Sequence, residues 1–371
     1  HFLGVLYFSD QHKEGIMTYP AWLLYGANGY TARLIIKEAI KRGHKPLLAG
    51  RSETKIKPIA QETGLDYVVL NLDDHDALKK VFSSVKLVLN AAGPFINTSL
   101  PILRACLASR AHYTDITGEI PVFQNTFSFD QEAKSKKITL ISGIGFDVIP
   151  TDCLAVYVTQ QIPDASELEL AFTGLNNISP GTMKTMIEML PNGGLIRKNG
   201  QLVKYPLASG AKRVDFPDGT HTVVPIIWGD LETAYRSTRV PNIITYMAYP
   251  DALIGLLRIS IPALQKLFTS KLIRSVAKRM VELMIKGPDD HAHMHGKSYV
   301  WARAINTKGN EKQAWLELPE TYLFTAIASI RTIEKIFESR PAGSLTPAMA
   351  FGPDFILEIN GVKRFDTLPS G

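Results

Sequence analysis

Residues 21–43, AWLLYGANGYTARLIIKEAIKRG, constrain the fold more than any other stretch of the chain. Trp22 to Tyr25 is a short apolar run of the kind that fills a strand buried on both faces. Gly26-Ala27-Asn28-Gly29 is a turn, and from Tyr30 to Arg42 the residues Ala32, Ile35, Ile36, Ala39 and Ile40 recur at helical spacing. Strand, glycine turn and helix in this order predict the phosphate-binding opening of a doubly wound sheet. At Gly26 a side chain would obstruct the exit from the strand, and Gly29 lets backbone approach a pyrophosphate at the positive end of the helix. Ala32 is small enough for the helix to pack close on the strand. The spacing, Gly-x-x-Gly-x-x-Ala, differs from the Gly-x-Gly-x-x-Gly fingerprint by carrying Ala27-Asn28 between the glycines. An ordinary tight turn before a helix has the same local signature, so support has to come from the next strand.

That strand is Lys45 to Ala49, ending at Gly50-Arg51-Ser52. A dinucleotide fold keeps here the residue that reads the adenosine ribose; an acidic one suits the 2′-hydroxyl of NAD, whereas a guanidinium beside a hydroxyl suits a 2′-phosphate. The expected cofactor is NADP(H). Its expected contacts are Gly26, Ala27, Asn28, Gly29, Tyr30 and Thr31 at the turn, Arg51 and Ser52 at the second strand, and Asp73 beyond the third. Ala91, Ala92, Gly93 and Pro94 join them where a fourth strand, Lys86 to Asn90, runs into Asn90-Ala91-Ala92-Gly93-Pro94-Phe95.

Alternation of strand and helix continues: a helix over 54–62, a strand over 67–70, an Asp74-capped helix to Phe82, a helix over 100–109, a strand over 112–116, a helix over 130–136 and a strand over 139–142. This is the pattern of an α/β fold, a parallel sheet with helices on both faces. Six strands complete a dinucleotide (Rossmann) domain over 17–152, and at 371 residues a second core is required. Residues 153–343 read as an α+β substrate domain, with strands over 167–173 and 222–227, a hairpin turning at Asn306 to Asn310, helical stretches including 262–285, and a last helix from Tyr322 to Ser339. Residues 344–371 are expected to return to the first domain, and residues 1–16 to be an upstream or cloning-derived extension.

The net charge of +6 comes from scattered basic residues, which favours an anionic ligand and gives no nucleic-acid motif. Cys106 and Cys153 lie in apolar helical contexts and read as buried thiols.

Seven motifs in order, GANGYTA (26–32), AGRS (49–52), NAAGPF (90–95), HYTDITGE (112–119), GFDVIPTD (145–152), WGDLETAYRST (228–238) and SLTPAMAFGPDF (344–355), resemble the saccharopine dehydrogenase-like oxidoreductases, and within them the trans-acting enoyl reductase branch. The resemblance implies an NADP-binding Rossmann domain with a substrate domain after it. It also implies an oxidoreductase that either reduces a double bond in a hydrophobic acyl or lipid-like chain or acts as a secondary-amine dehydrogenase of saccharopine type. A third option is an NADP(H)-binding sensor without turnover.

Hydride transfer needs a group that supplies or receives a proton. The candidates are Tyr113, Asp115, Glu119 and Asp147 near the carboxyl edge of the sheet, and Tyr235 across the cleft with Arg236 beside it as an anchor. Asp115 can equally cap a neighbouring turn. The imidazoles of His291, His293 and His295 alternate as zinc ligands would, but they lack an accompanying cysteine or acidic pair, and no metal is expected. The apolar stretch from Ile243 to Phe268 is broken by Asp251, Arg258 and Lys266 and is too interrupted to span a bilayer. It reads as a core helix, with a lipid-touching surface hairpin as the sharper option. Met183, Met186, Ile187, Met189 and Leu190, with Tyr246, Tyr249, Leu253, Leu256 and Leu257, are expected to line an apolar substrate cavity or to complete the domain core. The expected partner is a hydrophobic small molecule or carrier-bound acyl substrate. The expected setting is cytoplasmic, with peripheral membrane contact and a homodimer left open.

Overall fold

Strands that are apolar on every side need cover on both faces, and the chain supplies it by alternating them with helices. The computed structural model describes residues 19–174, 179–207, 209–284 and 296–369. The first strands are β1 (Trp22–Tyr25), β2 (Leu47–Gly50), β3 (Tyr67–Val69), β4 (Leu87–Asn90), β5 (His112–Asp115) and β6 (Thr139–Ile141). Between and after them run α1 (Tyr30–Lys41), α2 (Glu53–Thr63), α3 (His75–Phe82), α4 (Phe95–Ser109), α5 (Ile120–Ser128), α6 (Asp130–Lys136) and α7 (Ile149–Thr159). The second half holds β7 (Ala165–Phe172), α8 (Pro180–Met189), β8 (Gly194–Lys198), β9 (Gln201–Tyr205), β10 (Lys212–Phe216), β11 (Gly219–Pro225), α9 (Asp230–Thr238), β12 (Asn242–Tyr249), α10 (Asp251–Leu267) and α11 (Lys271–Met284). It closes with β13 (Lys297–Asn306), β14 (Glu311–Pro319), α12 (Thr321–Ser339), β15 (Gly343–Ser344), α13 (Pro347–Phe351) and β16 (Lys363–Phe365).

The first sheet is parallel throughout, in the order β15-β6-β5-β4-β1-β2-β3. β1 is central and fully buried, with Leu24 between Leu48 and Leu89 in register. Alternation sends Trp22 and Leu24 to the face covered by α1 and α12, and Leu23 and Tyr25 to the face covered by α3 and α4. Cys106 and Cys153 are buried free thiols.

The second sheet is mixed, in the order β10-β11-β12-β7-β13-β14-β16, with the β8–β9 hairpin attached through β12. The hairpin turn at Asn306 is held by its Oδ1, which accepts from the amides of Lys308 and Asn310 at 3.0 Å each.

Several elements differ from the sequence reading. The return to the first domain begins before residue 344: α12 packs on α1, and there Glu334 accepts from Arg42 at 3.1 Å and Arg331 at 3.2 Å, beside His44. β15 then extends the sheet next to β6, while β16 goes back to pair with β14 in the second sheet. The WGDLETAYRST motif, to which the sequence assigned no element, supplies α9. The stretch from Ile243 to Phe268 is not one helix but most of β12 followed by α10. Among the described residues no helix is long and apolar enough to cross a membrane. Residues 1–16 lie outside the described residues.

Candidate functional site

The carboxyl ends of β1, β2, β4 and β5 and the loop after β6 open into one cleft of about 720 Å3. The opposite wall comes from α8, α10, the ends of β11 and β12, and the start of α12.

The turn after β1 is fixed by backbone. Gly26 N–H donates to Ala49 O at 2.8 Å, and Gly29 N–H to Gly26 O at 2.9 Å. Gly26 has φ +83°, and a Cβ there would lie 2.8 Å from the Ala92 amide nitrogen and Cβ. The turn after β1 and the turn after β4 therefore touch, and only a glycine permits it. Asn90 pins the second turn: its Oδ1 accepts from Ala92 N–H at 3.0 Å and its Nδ2 donates to Thr98 Oγ1 at 3.1 Å. At Gly29 no side chain caps α1, so the amides of its first turn face the cleft with the positive end of the helix behind them. This uncapped terminus and the glycine cradle fit the pyrophosphate of a dinucleotide.

Of the expected cofactor contacts, Gly26, Asn28, Gly29, Tyr30, Thr31, Arg51, Ala91, Ala92, Gly93 and Pro94 line the cleft. Ala27 is buried beneath the turn. Ser52 stands back from the wall, at the start of α2, with its hydroxyl 2.9 Å from that of Thr54. Asp73 is not a wall residue: it lies in a separate surface depression with Asn71, Asp74, His75 and Asp76, because the strand ends at Val69 and the chain turns outward there. Sequence reading missed Lys55, which lies one turn along α2 from Arg51 and lines the same end of the cleft. The four-residue spacing from Arg51 was the available signal.

The proton-transfer candidates separate by location. Tyr113 and Asp115 are fully buried behind the wall. Asp115 accepts from Tyr113 Oη at 2.7 Å, Ser142 Oγ at 2.8 Å, and the amides of Thr117 and Gly143 at 3.0 Å each. It ties the exit of β5 to that of β6, and both residues are corrected from catalytic to structural. Glu119 reaches the wall but is committed to the α4 N-terminus, accepting from Phe95 and Ile96 N–H at 2.8 Å each. Tyr235 is also corrected: it lies on α9 outside the cleft, with the Arg197 guanidinium 4.1 Å over its ring. Arg236 donates to Ser344 O at 3.2 Å and covers Phe127, so it joins elements and meets no ligand.

Asp147 remains. It lies on the cleft wall, with Oδ1 enclosed and without a hydrogen-bond partner among the described residues. A Cβ on Gly118 would come within 2.6 Å of its Oδ2, so the glycine makes room for the carboxyl. Burial pushes that carboxyl up to about 8, which leaves it protonated at neutral pH.

Beyond Asp147 the wall turns apolar: Met186, Leu190, Trp228, Met247, Tyr249, Ile261 and Leu264 face one another, with Lys184 the charged side chain of that wall. Burial raises the Tyr249 phenol to about 12. Of the residues expected here, Met186, Leu190 and Tyr249 line the cleft. Met183 and Ile187 do not reach the wall, and Tyr246 points to the other face of β12, where its Oη meets Glu169 at 3.3 Å. The side chains of Met189, Leu253, Leu256 and Leu257 lie outside those described, as do His291, His293 and His295. Among the described residues no three His, Cys, Asp or Glu side chains cluster as a metal site.

Residues 22–141 match the family model described as the saccharopine dehydrogenase NADP binding domain. A saccharopine dehydrogenase-like oxidoreductase of Mus musculus is 26% identical over 203 residues, covering 47% of this chain and 47% of its own. A trans-acting enoyl reductase of Mycobacterium leprae is 26% identical over 163 residues, covering 41% of this chain and 38% of its own. A lipid droplet localized protein of Caenorhabditis elegans is 29% identical over 263 residues, covering 62% of this chain and 59% of its own. The chain thus spans under two thirds of the length of each of these relatives. Among solved structures, saccharopine dehydrogenase (L-Glu forming) from Saccharomyces cerevisiae superposes with a TM-score of 0.61 at 14% identity, covering 94% of this chain and 99% of the other, a likeness of fold. The first domain is thus similar to the saccharopine dehydrogenase NADP binding domain, and the chain that carries it to the saccharopine dehydrogenase-like oxidoreductases and trans-acting enoyl reductases.

Proposed function

We propose that the protein is an NADP(H)-dependent oxidoreductase that reduces a double bond in a hydrophobic acyl or lipid-like substrate, free or carrier-bound. The observation that carries this reading is a continuous cleft that runs from the glycine cradle, past a buried carboxyl, into an apolar pocket. When bound, the dinucleotide supplies the hydride. Arg51 and Lys55, at the adenosine end, carry the positive charge that a ribose 2′-phosphate would meet. Met186, Leu190, Met247 and Tyr249 hold the alkyl part of the substrate and keep water from it. Asp147 gives its proton to the substrate carbon adjacent to the one that receives hydride, becomes a carboxylate, and is reprotonated from solvent between turnovers. The relatives named for enoyl reduction and for lipid droplets support the same substrate class.

A dicarboxylate amino-acid product would call for guanidinium anchors on the substrate wall. Arg197 and Arg236 are engaged elsewhere, the first donating to Leu231 O and Gly200 O at 2.6 Å each. Two measurements test the reading. A long-chain enoyl thioester should be reduced by the protein with NADPH while saccharopine is left unoxidised with NADP; the reverse pattern overturns the substrate class. The Arg51→Ala variant should bind NADPH at least about tenfold more weakly, with NADH affinity unchanged. Equal losses for both cofactors would remove the assigned role of Arg51.

A further inference from the structure

α10 turns one face toward the cleft, α11 packs against the cleft-lining α8, and the outer face of α11 is covered by nothing among the described residues. Inward, Ile261 and Leu264 of α10 line the apolar pocket. Glu188 of α8 holds α11 in place, pairing with Arg274 at 3.1 Å and with Lys278. Outward, α11 shows Leu272, Val276, Met280 and Leu283 at 74%, 53%, 53% and 79% exposure. Steps of four, four and three residues place them on one stripe of the helix. Leu267, at the end of α10, is 49% exposed and precedes the stripe. Single exposed apolar side chains are ordinary, whereas a contiguous row of large ones marks a surface that binds.

The charge beside the row identifies what it binds. Lys266, Lys271 and Arg279 are exposed along it, and the α11 sequence carries four basic residues, Lys271, Arg274, Lys278 and Arg279, against the single acidic Glu282. An apolar stripe edged by lysine and arginine complements a layer of acyl chains beneath anionic headgroups. The 14 residues of α11 reach only about 21 Å, so the helix lies in the plane of such a layer and does not cross it.

We infer that the outer face of α10–α11 seats the protein on an anionic phospholipid surface. α10 lines the apolar pocket, and α11 packs on α8, which lines it as well, so a substrate leaving the lipid enters beside these helices; this delivery role rests on the proposed lipid-like substrate, while the seating does not. The test is sedimentation of the full chain with phosphatidylcholine vesicles and with phosphatidylcholine–phosphatidylserine vesicles at about three to one. The protein should sediment with the anionic vesicles. Apparent affinity should fall at least about tenfold in Leu272→Glu/Met280→Glu, and also in Lys271→Glu/Arg279→Glu, which leaves the apolar row intact. NADPH affinity, which reads folding and the cofactor site separately, should be unchanged in both variants. Wild-type protein that stays in solution, or variants that sediment as wild type, would overturn the inference. So would a wild-type dimer that Leu272→Glu/Met280→Glu converts to monomer in analytical ultracentrifugation, which would assign the row to a second copy of the chain. Failure of the enoyl thioester assay with vesicle binding intact would overturn the substrate reading alone.

Discussion

Asp147 Oδ1 is enclosed and has no hydrogen-bond partner among the described residues, and burial raises the carboxyl to about 8. The contrast with Asp115 shows how environment assigns roles to like groups. Four donors converge on Asp115 behind the wall, so its oxygens are occupied by the turns it joins, whereas Asp147 at the edge of an apolar pocket has an oxygen that meets no donor among the described residues. The sign of the pH dependence follows. The acid form is present below about 8 and is lost as pH rises through that value, so the rate of reduction at saturating substrate should fall above it. In Asp147→Asn, which keeps the shape and removes the titrating proton, kcat should drop by about a hundredfold or more, the fall above pH 8 should vanish, and NADPH affinity should hold. A variant that retains both the rate and the pH profile would show that the proton comes from elsewhere. Sequence placed Asp147 among five candidates, since an acidic residue near the carboxyl edge of the sheet looks alike at Asp115 and Asp147. What separates them is the set of donors around each, which only the fold brings together.

At the scale of elements, β5 and β6 are joined by a side chain as well as by their ladder. His112 Nδ1 accepts from Thr139 N–H at 2.9 Å, and burial, reinforced by the nearby charges of Arg340 and Lys86, lowers the imidazole to about 4. In the unfolded chain the ring titrates near its ordinary 6.5, so its contribution to stability is complete above that value and is lost as pH falls toward 4. Lowering the pH from about 7 to about 5 should remove roughly 2 kcal/mol through this residue, read as the difference in denaturant midpoints between wild type and His112→Asn. Equal pH responses of the two proteins would contradict the assignment. Most strands of the first sheet were legible because they are short, largely apolar and close to Gly, Asp or Pro. α4 was seen from Leu100 only, five residues after its start at Phe95. Its N-terminus is capped by Glu119, 24 residues away, and no local pattern announces that. α9 was given no element in the sequence, although Leu231, Ala234 and Tyr235 recur at helical spacing; its packing against α7 buries that face.

At the scale of the molecule, the cleft exists because the chain goes out and comes back. It leaves the first sheet at α7, builds the second sheet, and returns through α12 onto α1 and through β15 onto β6, so the substrate wall is held over the cofactor edge from both ends. The two halves were distinguishable in sequence by their change from strand–helix alternation to hairpins. The return was legible only in part: residues from Ser344 were expected to come back and β15 does so beside β6, whereas the packing of α12 on α1 had no local signal, since its apolar face becomes specific only against that helix. The apolar pocket was half legible: Met186, Leu190 and Tyr249 were in view, while Trp228, Met247, Ile261 and Leu264 required the fold to bring β12, α10 and the segment before α9 to one wall. This arrangement is read as bringing hydride and proton to adjacent carbons of an apolar chain, and isotope transfer tests that most directly. NADPH carrying deuterium at the transferable position of the nicotinamide should be incubated with a long-chain enoyl thioester and the product examined by mass spectrometry. A saturated product bearing one deuterium per molecule, formed by wild type and strongly reduced in Asp147→Asn, is the predicted result. An unreduced thioester, or a saturated product without deuterium, would contradict it.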